Sequence, residues 1–578
     1  MIVCGLKLTH DGAVALIDNG RLVFSIEVEK LRNQERYAQI EDTALIEEIL
    51  AAEGYRIEDI DCFAVDGWGG DDEDALAIQP RLTIGEGHNW LDAADGGEPY
   101  RLAVGQYEEQ GASDPLLRQW SFEGLRIGGR QLPYVSYYHA AAHVAGAYCS
   151  SPFARRGESA YVLVWDGGMY PRLYYYDADC GGFDNLGPIF LLIGNMYSLF
   201  AQHFGPFQVS GGFAKDSLSV AGKVMAYIAL GQSQPQWYDI WDEIYLDAYD
   251  HPMGFGNKLA RLFKERMAGQ SYEDADVLRT FHDYLGQMLL DKLAKKIRRH
   301  GGKSRKLALA GGCALNIKWN SAIRESGIVD EVYVPPFPND SGSAIGVACC
   351  AMLTRGGGAA LDWTVYSGPE VRPSEPAAGW LSRSCGAETL ARLLHESGEP
   401  VVVLHGRAEL GPRALGNRSI IAPAVSPAMK DALNRIKDRE PYRPVSPICL
   451  EDDAPELFGP GIRDPYMLFD HRVKPAWVER IPAVIHLDGT ARLQTVDPQD
   501  NPWLAELLAA YKRLSGIPVL CNTSANHKGK GFFPDVASAT AWDGVNYVWS
   551  EGVLYERESK LAMGLEQQAQ AEDMQGVS

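Results

Sequence analysis

The sequence contains no uninterrupted apolar stretch of about 18 residues, the length that a membrane-spanning helix requires. Its first residues, MIVCGLKLTHDG, include no basic segment followed by an apolar run, so we expect no signal peptide and a cytoplasmic location. The ten cysteines form no CxxC pair and most of them lie in apolar contexts, which predicts reduced thiols rather than disulfides.

Positive charge is also scarce. Lys and Arg number 54 against 76 Asp and Glu, and the formal net charge is -22. Such a field repels phosphate backbones and anionic lipids, which disfavours nucleic acids and membranes as general partners. The remaining composition, 46% hydrophobic and 22% charged over 578 residues, is typical of a folded chain with more than one hydrophobic core.

Two segments show the same strand–turn–strand pattern. In the first, apolar runs at 2–6, 13–18 and 21–27 are separated by Asp11-Gly12 and Asn19-Gly20, which are strong hairpin signals. In the second, the apolar run AYVLVWDGG is followed by a returning strand, RLYYYDADCGG. Two such units about 150 residues apart predict a duplicated α/β fold with a ligand between the copies.

A Gly- and Pro-rich stretch at 355–376 predicts a connection between two domains. The resulting assignment is a first domain at 1–356, a linker at 357–376, a second α/β domain at 377–560 and a frayed tail at 561–578. Segment 69–120, which is rich in Asp, Gly and Trp and has no clear period, is interpreted as a possible insertion. Apolar periodicity predicts helices at 41–53, 271–300, 386–397 and 426–438, and a strand at 400–404.

A histidine pair offers a candidate metal centre. His139 and His143 are four residues apart, which places both imidazoles on one face of a helix. Asp166, in a tight turn after a strand, and Asp340, in a Gly/Ser-rich loop, add carboxylates. Two His and two Asp suit a divalent metal with open positions, iron or manganese ahead of structural zinc. An isolated HxxxH is more often a pair of structural histidines, and this one lacks the Glu of an HExxH protease.

Two glycine-containing segments are candidates for nucleotide contacts. Gly311 and Gly312 follow the strand KLALA, and Asn316 opens the next predicted helix. Such a turn can present backbone amides to a phosphate, although a plain strand–helix turn is the simpler interpretation. Gly222-Lys223 resembles the end of a phosphate-binding loop but lacks the upstream glycine of GxxxxGK[ST], so a Walker loop is not expected.

A basic patch interrupts the acidic chain. Residues 401–450 hold eight Lys or Arg and four Asp or Glu, and the run GRAELGPRALGNRS places three arginines in a Gly-rich loop. Because planar guanidinium groups match phosphate and carboxylate oxygens, we interpret the patch as a site for a small, highly charged anion rather than a solvated basic face. Arg492 and the run Asn522-Thr523-Ser524 are further polar candidates.

Together these motifs resemble those of a known family. GRAELGPRALGNRSI, NRIKDREPYRPVSP and CNTSAN resemble the second domain of the NodU/CmcH-type O-carbamoyltransferases, a family that includes the tobramycin carbamoyltransferase. AGGCALN, PPFPNDSGSAIG, WDGG and HAAAH resemble the first domain of that family. The motifs follow the family order and cover roughly residues 1–550.

The resemblance implies a fold and a reaction. The first domain is expected to be actin-like (ASKHA-type, duplicated), with a divalent iron ion, and the second a YrdC-like α/β domain. The implied enzyme is an ATP-dependent O-carbamoyltransferase. It makes carbamoyl adenylate from carbamoyl phosphate and ATP, with Mg2+, in the second domain. It then transfers the carbamoyl group to a hydroxyl in the first domain.

The acceptor stays open at this point. The acidic charge of the chain favours a small molecule as the acceptor. The candidates are a natural product, as in antibiotic biosynthesis, a sugar and a nucleoside. A hydroxymethylated nucleic-acid base is the alternative acceptor. A tRNA threonylcarbamoyl-type enzyme and a non-catalytic ATP-binding regulator are the other functional alternatives.

The resemblance also implies roles for individual residues. His10, in THDGAVAL, matches the family histidine near the reacting hydroxyl and is the candidate general base. The implied metal ligands are His139, His143, Asp166 and Asp340. The implied nucleotide contacts are Lys223, Gly311, Gly312 and Asn316. The implied carbamoyl phosphate or ATP contacts, with Lys437 and Arg439 also as catalytic candidates, are Arg413, Arg418, Lys437, Arg439, Arg492, Asn522 and Ser524.

The chain departs from the family pattern at two places. Where the family commonly reads NTSFNxRGEP, this chain reads NTSANHKGKGFFP. Ala525 replaces an aromatic residue, Lys528 an arginine and Lys530 an acid, and lysine keeps the charge of arginine but not its planar fork. The family's HHxxHA is HAAAH here, which keeps only the outer histidine pair.

Overall fold

The computed structural model describes residues 1–33, 35–69, 87–111, 113–208, 217–248 and 255–558. The chain divides into two compact units. The N-terminal unit comprises Met1–Val28, Tyr37–Thr364 and Leu410–Pro412, and the C-terminal unit comprises Glu29–Arg36, Val365–Glu409 and Arg413–Ser578. The expected tail at 561–578 and part of the possible insertion at 69–120 lie outside the described residues. Within the described ranges, no helix has the length and apolar character needed to cross a membrane.

The elements up to residue 354 belong mainly to the N-terminal unit. The strands are β1 (Ile2–Lys7), β2 (Ala13–Asp18), β3 (Arg21–Glu27), β4 (Cys62–Asp66), β5 (Asn89–Asp95), β6 (Glu98–Val104), β7 (Trp120–Ile127), β8 (Arg130–Tyr137), β9 (Ala160–Val164), β10 (Arg172–Asp177), β11 (Gly182–Pro188), β12 (Lys306–Ala310) and β13 (Glu331–Tyr333). The helices are α1 (Val28–Leu31), α2 (Ala44–Ala52), α3 (His139–Cys149), α4 (Pro152–Arg155), α5 (Met196–Ala201), α6 (Ser217–Tyr227), α7 (Tyr238–Ala248), α8 (Phe255–Arg266), α9 (Asp274–His300), α10 (Ile317–Glu325) and α11 (Ser343–Thr354).

The N-terminal unit contains the same strand arrangement twice. In one sheet β2 lies between β3 and β1, antiparallel to both, and β4 joins β1 in parallel. In the other sheet β10 lies between β11 and β9, antiparallel to both, and β12 joins β9 in parallel. The two strand–turn–strand segments of the sequence are thus equivalent parts of two sheets. The β1–β2 turn and the β9–β10 turn occupy corresponding positions.

Two helices of this unit cross at very short range. Helix α3, HAAAHVAGAYC, is buried on every side, as expected for a helix whose residues, apart from His139 and His143, are mostly small and apolar. A Cβ on Gly346 of α11 would lie 2.0 Å from the backbone oxygen of Ala142 in α3, so this crossing requires a residue without a side chain. The crossing brings the first turn of α3 close to the turn Asp340–Gly342, which precedes α11.

Helix α2 is shorter than the sequence pattern predicts. It begins at Ala44 rather than residue 41, because the Asp42 carboxylate accepts hydrogen bonds from the backbone amides of Ala44, Gly96 and Gly97. These bonds hold residues 41–43 outside the helix. The predicted long helix at 271–300 is confirmed as α9, and it ends at a left-handed Gly301 as expected.

The strands of the C-terminal unit are β14 (Trp380–Ser384), β15 (Val401–Leu404), β16 (Arg418–Pro423), β17 (Ser446–Leu450), β18 (Phe458–Gly459), β19 (His471–Val473), β20 (Thr490–Ala491), β21 (Gln494–Val496), β22 (Leu520–Ser524), β23 (Tyr547–Ser550) and β24 (Val553–Arg557). Eight of them form one mixed sheet in the order β14-β24-β23-β15-β16-β22-β17-β21, and β18, β19 and β20 form a small second sheet. The helices of this unit are α12 (Ala387–Ser397), α13 (Pro427–Ile436), α14 (Ala454–Leu457), α15 (Pro502–Ser515) and α16 (Val536–Ala541). Helices α12 and α15 pack together, and the predicted elements at 386–397, 400–404 and 426–438 are confirmed within two residues as α12, β15 and α13.

Candidate metal centre and arginine cluster

Four predicted ligands converge in the N-terminal unit, and we call them the metal group: His139, His143, Asp166 and Asp340. All four are buried, and one ligand atom from each lies within 4.8 Å of the others. The two imidazole Nε2 atoms are 3.1 Å apart, and Oδ1 of Asp340 lies 3.5 and 3.4 Å from them. Oxygens of Asp166 lie 3.9 Å from each Nε2. Ligands that share one ion at about 2.0–2.2 Å are themselves about 3–4 Å apart, so the donor set fits a divalent cation.

Asp166 is held in place by two neighbours. Gly312 donates its backbone amide to Oδ1 at 2.7 Å, and the Tyr107 hydroxyl donates to Oδ2 at 2.7 Å. Gly311 has a φ of +84°, and a Cβ there would lie 2.4 Å from the backbone oxygen of Trp165. The glycine turn after β12 therefore needs glycine in order to approach the β9–β10 turn that carries Asp166.

The backbone amides of this glycine turn are hydrogen-bonded to other parts of the protein. The backbone N–H groups of Gly311, Gly312 and Cys313 all donate to acceptors inside the protein, and that of Gly312 goes to Asp166. The amides are therefore bonded within the protein and a strand–helix turn forms, while contact of Gly311 and Gly312 with a nucleotide stays a prediction. The sequence could not show this, because the acceptors lie in distant segments.

The other two predicted nucleotide contacts lie at or within helices. Asn316 caps α10, since its Oδ1 accepts from the backbone amide of Lys318 at 3.2 Å. Its Nδ2 faces the Nε2 of the buried His282 at 3.1 Å. Lys223 lies inside α6, so the segment that resembled the end of a phosphate loop is helical. Nucleotide contact by these residues stays a prediction.

His10 lies in the β1–β2 turn, beside the metal group. Its Nε2 is 3.5 Å from Oδ2 of Asp340, and its Nδ1 is 2.9 Å from Oδ2 of Asp11. Burial acts to lower the pKa of His10, but Asp340 and Asp11 outweigh it and raise the pKa above the ordinary value. The side chain is 34% exposed, which leaves room for a reacting hydroxyl to approach this imidazole.

Sequence reasoning missed two buried charges beside the metal group, Lys7 and Asp66. They end the parallel neighbours β1 and β4, and the Lys7 ammonium lies 3.0 Å from Oδ2 of both Asp66 and Asp340. Burial acts to lower the pKa of Lys7, but the two carboxylates raise it overall. Burial acts to raise the pKa of Asp66, but His139 and Lys7 lower it overall. A charged residue at the end of each apolar strand, IVCGLK and CFAVD, was the available signal.

Five arginines gather in the C-terminal unit, and we call them the arginine cluster: Arg36, Arg413, Arg439, Arg443 and Arg492. Burial, followed by the charges of Arg443, Arg36 and Arg413, lowers the pKa of Arg439 to about 9. Burial and three neighbouring arginines hold the pKa of Arg492 well below its usual range. Guanidinium groups that depress one another in this way favour an anionic ligand.

Two members of the arginine cluster were not predicted as site residues. Arg443 belongs to the motif KDREPYR, which was quoted for the resemblance, so the signal was present. Arg36 comes from segment 29–36, which belongs to the C-terminal unit although it lies near the start of the chain. Nothing in the local sequence connects residue 36 with a domain at the other end of the chain.

The lysine and amides predicted for this site are bonded within the protein. The Lys437 ammonium contacts four oxygens, the backbone oxygen and Oγ of Ser524 and the backbone oxygen and Oδ1 of Asn526. Burial and the neighbouring arginines hold the pKa of Lys437 well below its usual range. Asn522 donates to Oε1 of Gln494 at 2.7 Å. These bonds order the segment NTSAN, and ligand contact by its residues stays a prediction.

Arg418 does not belong to the arginine cluster. Its side chain is buried at the start of β16, where Nη1 donates to the carbonyls of His405 and Asn417 at 2.8 and 2.9 Å. Nη2 donates to the carbonyls of Pro369 and Gly406 at 3.1 and 3.0 Å. These donors join three backbone segments, so the expectation that Arg418 contacts carbamoyl phosphate or ATP is corrected to a structural role.

We expect Arg418→Lys to destabilise the protein. Lysine cannot reach four carbonyls with a planar fork, and buried hydrogen bonds to a charged group contribute about 1.5–3 kcal/mol each. The free energy of unfolding should fall by at least about 3 kcal/mol in denaturant titration. Arg435→Lys, at an exposed position in α13, is the matched control and should change it by less than about 0.5 kcal/mol. A variant of unchanged stability that no longer binds phosphate would contradict this role.

The departures from the family pattern lie outside the arginine cluster. Lys528, where the family has arginine, pairs with the Asp438 carboxylate at 2.7 Å on the surface. Ala525 is fully buried, and its amide donates to the carbonyl of Arg418 at 2.9 Å. The backbone oxygen of Lys530 accepts a hydrogen bond from Asn526.

Comparison with known proteins identifies the family of this chain. The family model described as carbamoyltransferase N-terminus matches residues 2–349, and the one described as carbamoyltransferase C-terminus matches residues 391–555. The chain therefore belongs to the carbamoyltransferase family, and it is an enzyme of that class. The metal group and all five members of the arginine cluster fall inside the matched ranges.

Individual relatives align over almost the whole chain. "Nodulation protein U" of Rhizobium tropici is 46% identical over 577 residues, covering 96% of each chain. "Nodulation protein U" of Sinorhizobium fredii is 44% identical and covers 97% of this chain and 100% of the relative. The "3'-hydroxymethylcephem-O-carbamoyltransferase" of Streptomyces clavuligerus is 32% identical and covers 92% of this chain and 94% of the relative. The two nodulation proteins are thus more than 40% identical to this chain, and the cephem carbamoyltransferase is less than 40% identical to it.

Proposed function

We propose that this carbamoyltransferase is an ATP-dependent O-carbamoyltransferase that works in two steps, one in each unit. The observation that carries the proposal is the buried metal group, because two His and two Asp within one ion's reach suit a divalent cation that could act on a transferred carbamoyl group. We also infer an actin-like N-terminal domain, supported by its repeated strand arrangement, and a YrdC-like C-terminal domain. Residues 1–356 and 377–560 are the domain boundaries proposed from the sequence.

The first step is activation in the C-terminal unit. Carbamoyl phosphate, ATP and water give carbamoyl adenylate, pyrophosphate and inorganic phosphate, with Mg2+ accompanying ATP. The arginine cluster supplies the positive charge that these phosphates need. Its guanidinium forks bind phosphate oxygens in pairs, and its burial strengthens each contact.

The second step is transfer to a hydroxyl in the N-terminal unit. A divalent ion held by the metal group, Fe2+ in our proposal, would supply Lewis-acid stabilisation of the oxyanion that forms on the carbamoyl carbon. His10 accepts the proton of the attacking hydroxyl, and Asp11 fixes the ring through Nδ1. Carbamoyl adenylate loses AMP as the carbamate ester forms. The acceptor is a small molecule, since a relative acts on the hydroxymethyl group of a cephem.

The experiment that tests the first step needs no acceptor. The protein is incubated with ATP, Mg2+ and carbamoyl phosphate, and pyrophosphate release is followed with and without carbamoyl phosphate. We expect release that depends on carbamoyl phosphate. Release without it, or none from a folded protein in the presence of a hydroxyl acceptor panel, would contradict the proposed activation.

We expect oxyanions to stabilise the protein. The arginines of the cluster repel one another without a ligand, and an anion that binds only the folded state adds about 2.7 kcal/mol at a concentration 100 times its Kd. Carbamoyl phosphate or inorganic phosphate should therefore raise the midpoint of thermal unfolding by several degrees, with chloride at equal ionic strength as the control. The same rise with Arg439→Ala would show that the anion binds elsewhere.

A further inference from the structure

Lys7 and Asp66 form a buried ion pair to which neither proposed step assigns a role. Both side chains are 1% exposed. Oδ2 of Asp66 lies 3.0 Å from the Lys7 ammonium and 2.8 Å from Nδ1 of His139. The same ammonium lies 3.0 Å from Oδ2 of Asp340. The pair therefore contacts one histidine and one aspartate of the metal group.

We propose that Lys7 and Asp66 are positioning residues for the metal group, an inference that rests on the metal centre of the proposed function. Asp66 accepts the Nδ1 proton of His139, which leaves the Nε2 lone pair facing the other ligand atoms. Lys7 holds Oδ2 of Asp340, so that Oδ1 remains at 3.4–3.5 Å from the two imidazoles. The pair thus sets one tautomer and one carboxylate orientation.

The charges of this region support the same role. Three buried carboxylates, those of Asp66, Asp166 and Asp340, lie around one buried ammonium, that of Lys7. Buried carboxylates that outnumber their cations are costly unless they are compensated. A divalent cation held by the metal group would compensate them, which makes the lysine part of the charge balance as well as the geometry.

Trp68 fixes the ammonium from the remaining side. The Lys7 ammonium lies 3.9 Å from the centroid of the Trp68 ring. The same ring meets the rings of His10 and His139 at centroid distances of 5.1 Å. The aromatic face favours a cation and excludes water, so the position of the lysine is determined by Trp68 together with the two carboxylates.

The test is a titration of chelator-stripped, full-length protein with Co2+ alone, followed by the cobalt d–d absorption band. The variants are Lys7→Met, Asp66→Asn and the double variant. The double variant restores the wild-type net charge but lacks the positioning pair. If only charge mattered it would bind Co2+ like the wild type, whereas we expect affinity to fall about 10–100-fold with a shifted band.

The controls separate this inference from the metal centre itself. Asp283→Asn removes a carboxylate whose Oδ1 faces Nδ1 of the buried His282 at 3.4 Å, a similar pair outside the metal group, and should leave Co2+ affinity unchanged. A double variant that binds within twofold of wild type with the same band overturns the positioning role. If the double variant does not fold, Asp66→Asn alone decides, because an unshifted band at full occupancy overturns it. Wild type that binds no Co2+, or His143→Ala that binds it equally, overturns the metal centre.

Discussion

His143→Ala is expected to lower carbamoyl transfer to the acceptor hydroxyl by about 10³-fold or more, while pyrophosphate release stays within about twofold of wild type. The imidazole is one of four donors in the metal group, and Oδ1 of Asp340 lies only 3.4 Å from it. In the proposed mechanism, loss of this donor would weaken retention of the ion that would stabilise the oxyanion, a contribution of several kcal/mol, and each 1.36 kcal/mol is a factor of ten. The proposal places activation at the arginine cluster in the other unit, so activation should not depend on this histidine.

Three measurements check this result. Metal content is measured by elemental analysis, pyrophosphate release in a single turnover, and carbamoylated product by mass spectrometry with an acceptor found by screening the wild type. His395→Ala, an exposed histidine of α12, is the matched control and should retain metal and both activities. Full transfer by a metal-free His143→Ala protein would remove the metal group from the mechanism. Loss of pyrophosphate release from a folded variant would place the metal group in activation instead.

The sequence predicted those parts of the fold that short segments of the chain determine by themselves. The hairpins at Asp11-Gly12 and Asn19-Gly20 formed because these turn residues tolerate the backbone that a hairpin requires, and Asp11 and Asn19 do have positive φ. The register of the repeated strands, and their parallel fourth members β4 and β12, depends on pairing between distant segments. A single sequence contains no direct signal for that pairing.

The residues of the candidate sites also divide into those that short segments predicted and those that depend on contacts between distant segments. His139 and His143 were predictable because helical spacing puts them on one face, and the aspartates because each follows a strand in a turn. Lys7, Asp66 and Arg36 were missed because their importance arises only where separate segments meet. Arg418 was misassigned for the opposite reason. A Gly-rich loop with three arginines resembles an anion site, but the sequence does not show which guanidinium turns inward to bind backbone carbonyls.

Arg439→Ala is expected to lower kcat/KM for carbamoyl phosphate in pyrophosphate release by about 10²–10³-fold. Truncating one partner of a buried charge pair costs about 2–5 kcal/mol, and a 10²–10³-fold loss is about 2.7–4.1 kcal/mol, which lies inside that range. The kcat/KM of Arg439→Lys should lie between those of Arg439→Ala and the wild type, because lysine keeps the charge of arginine but not its planar fork. Arg435→Ala, four residues earlier and exposed, is the matched control and should retain full activity. Metal content should be unchanged in all three variants.

The same substitution should raise the stability of the protein without ligand, and this opposite sign distinguishes a ligand-binding arginine from a structural one. Burial and three neighbouring arginines lower the pKa of Arg439, so the folded state carries a charge that its surroundings disfavour. Thermal unfolding at pH 7.5 without phosphate measures the expected gain in stability. A variant that loses stability together with activity would show that Arg439, like Arg418, holds the fold rather than the substrate.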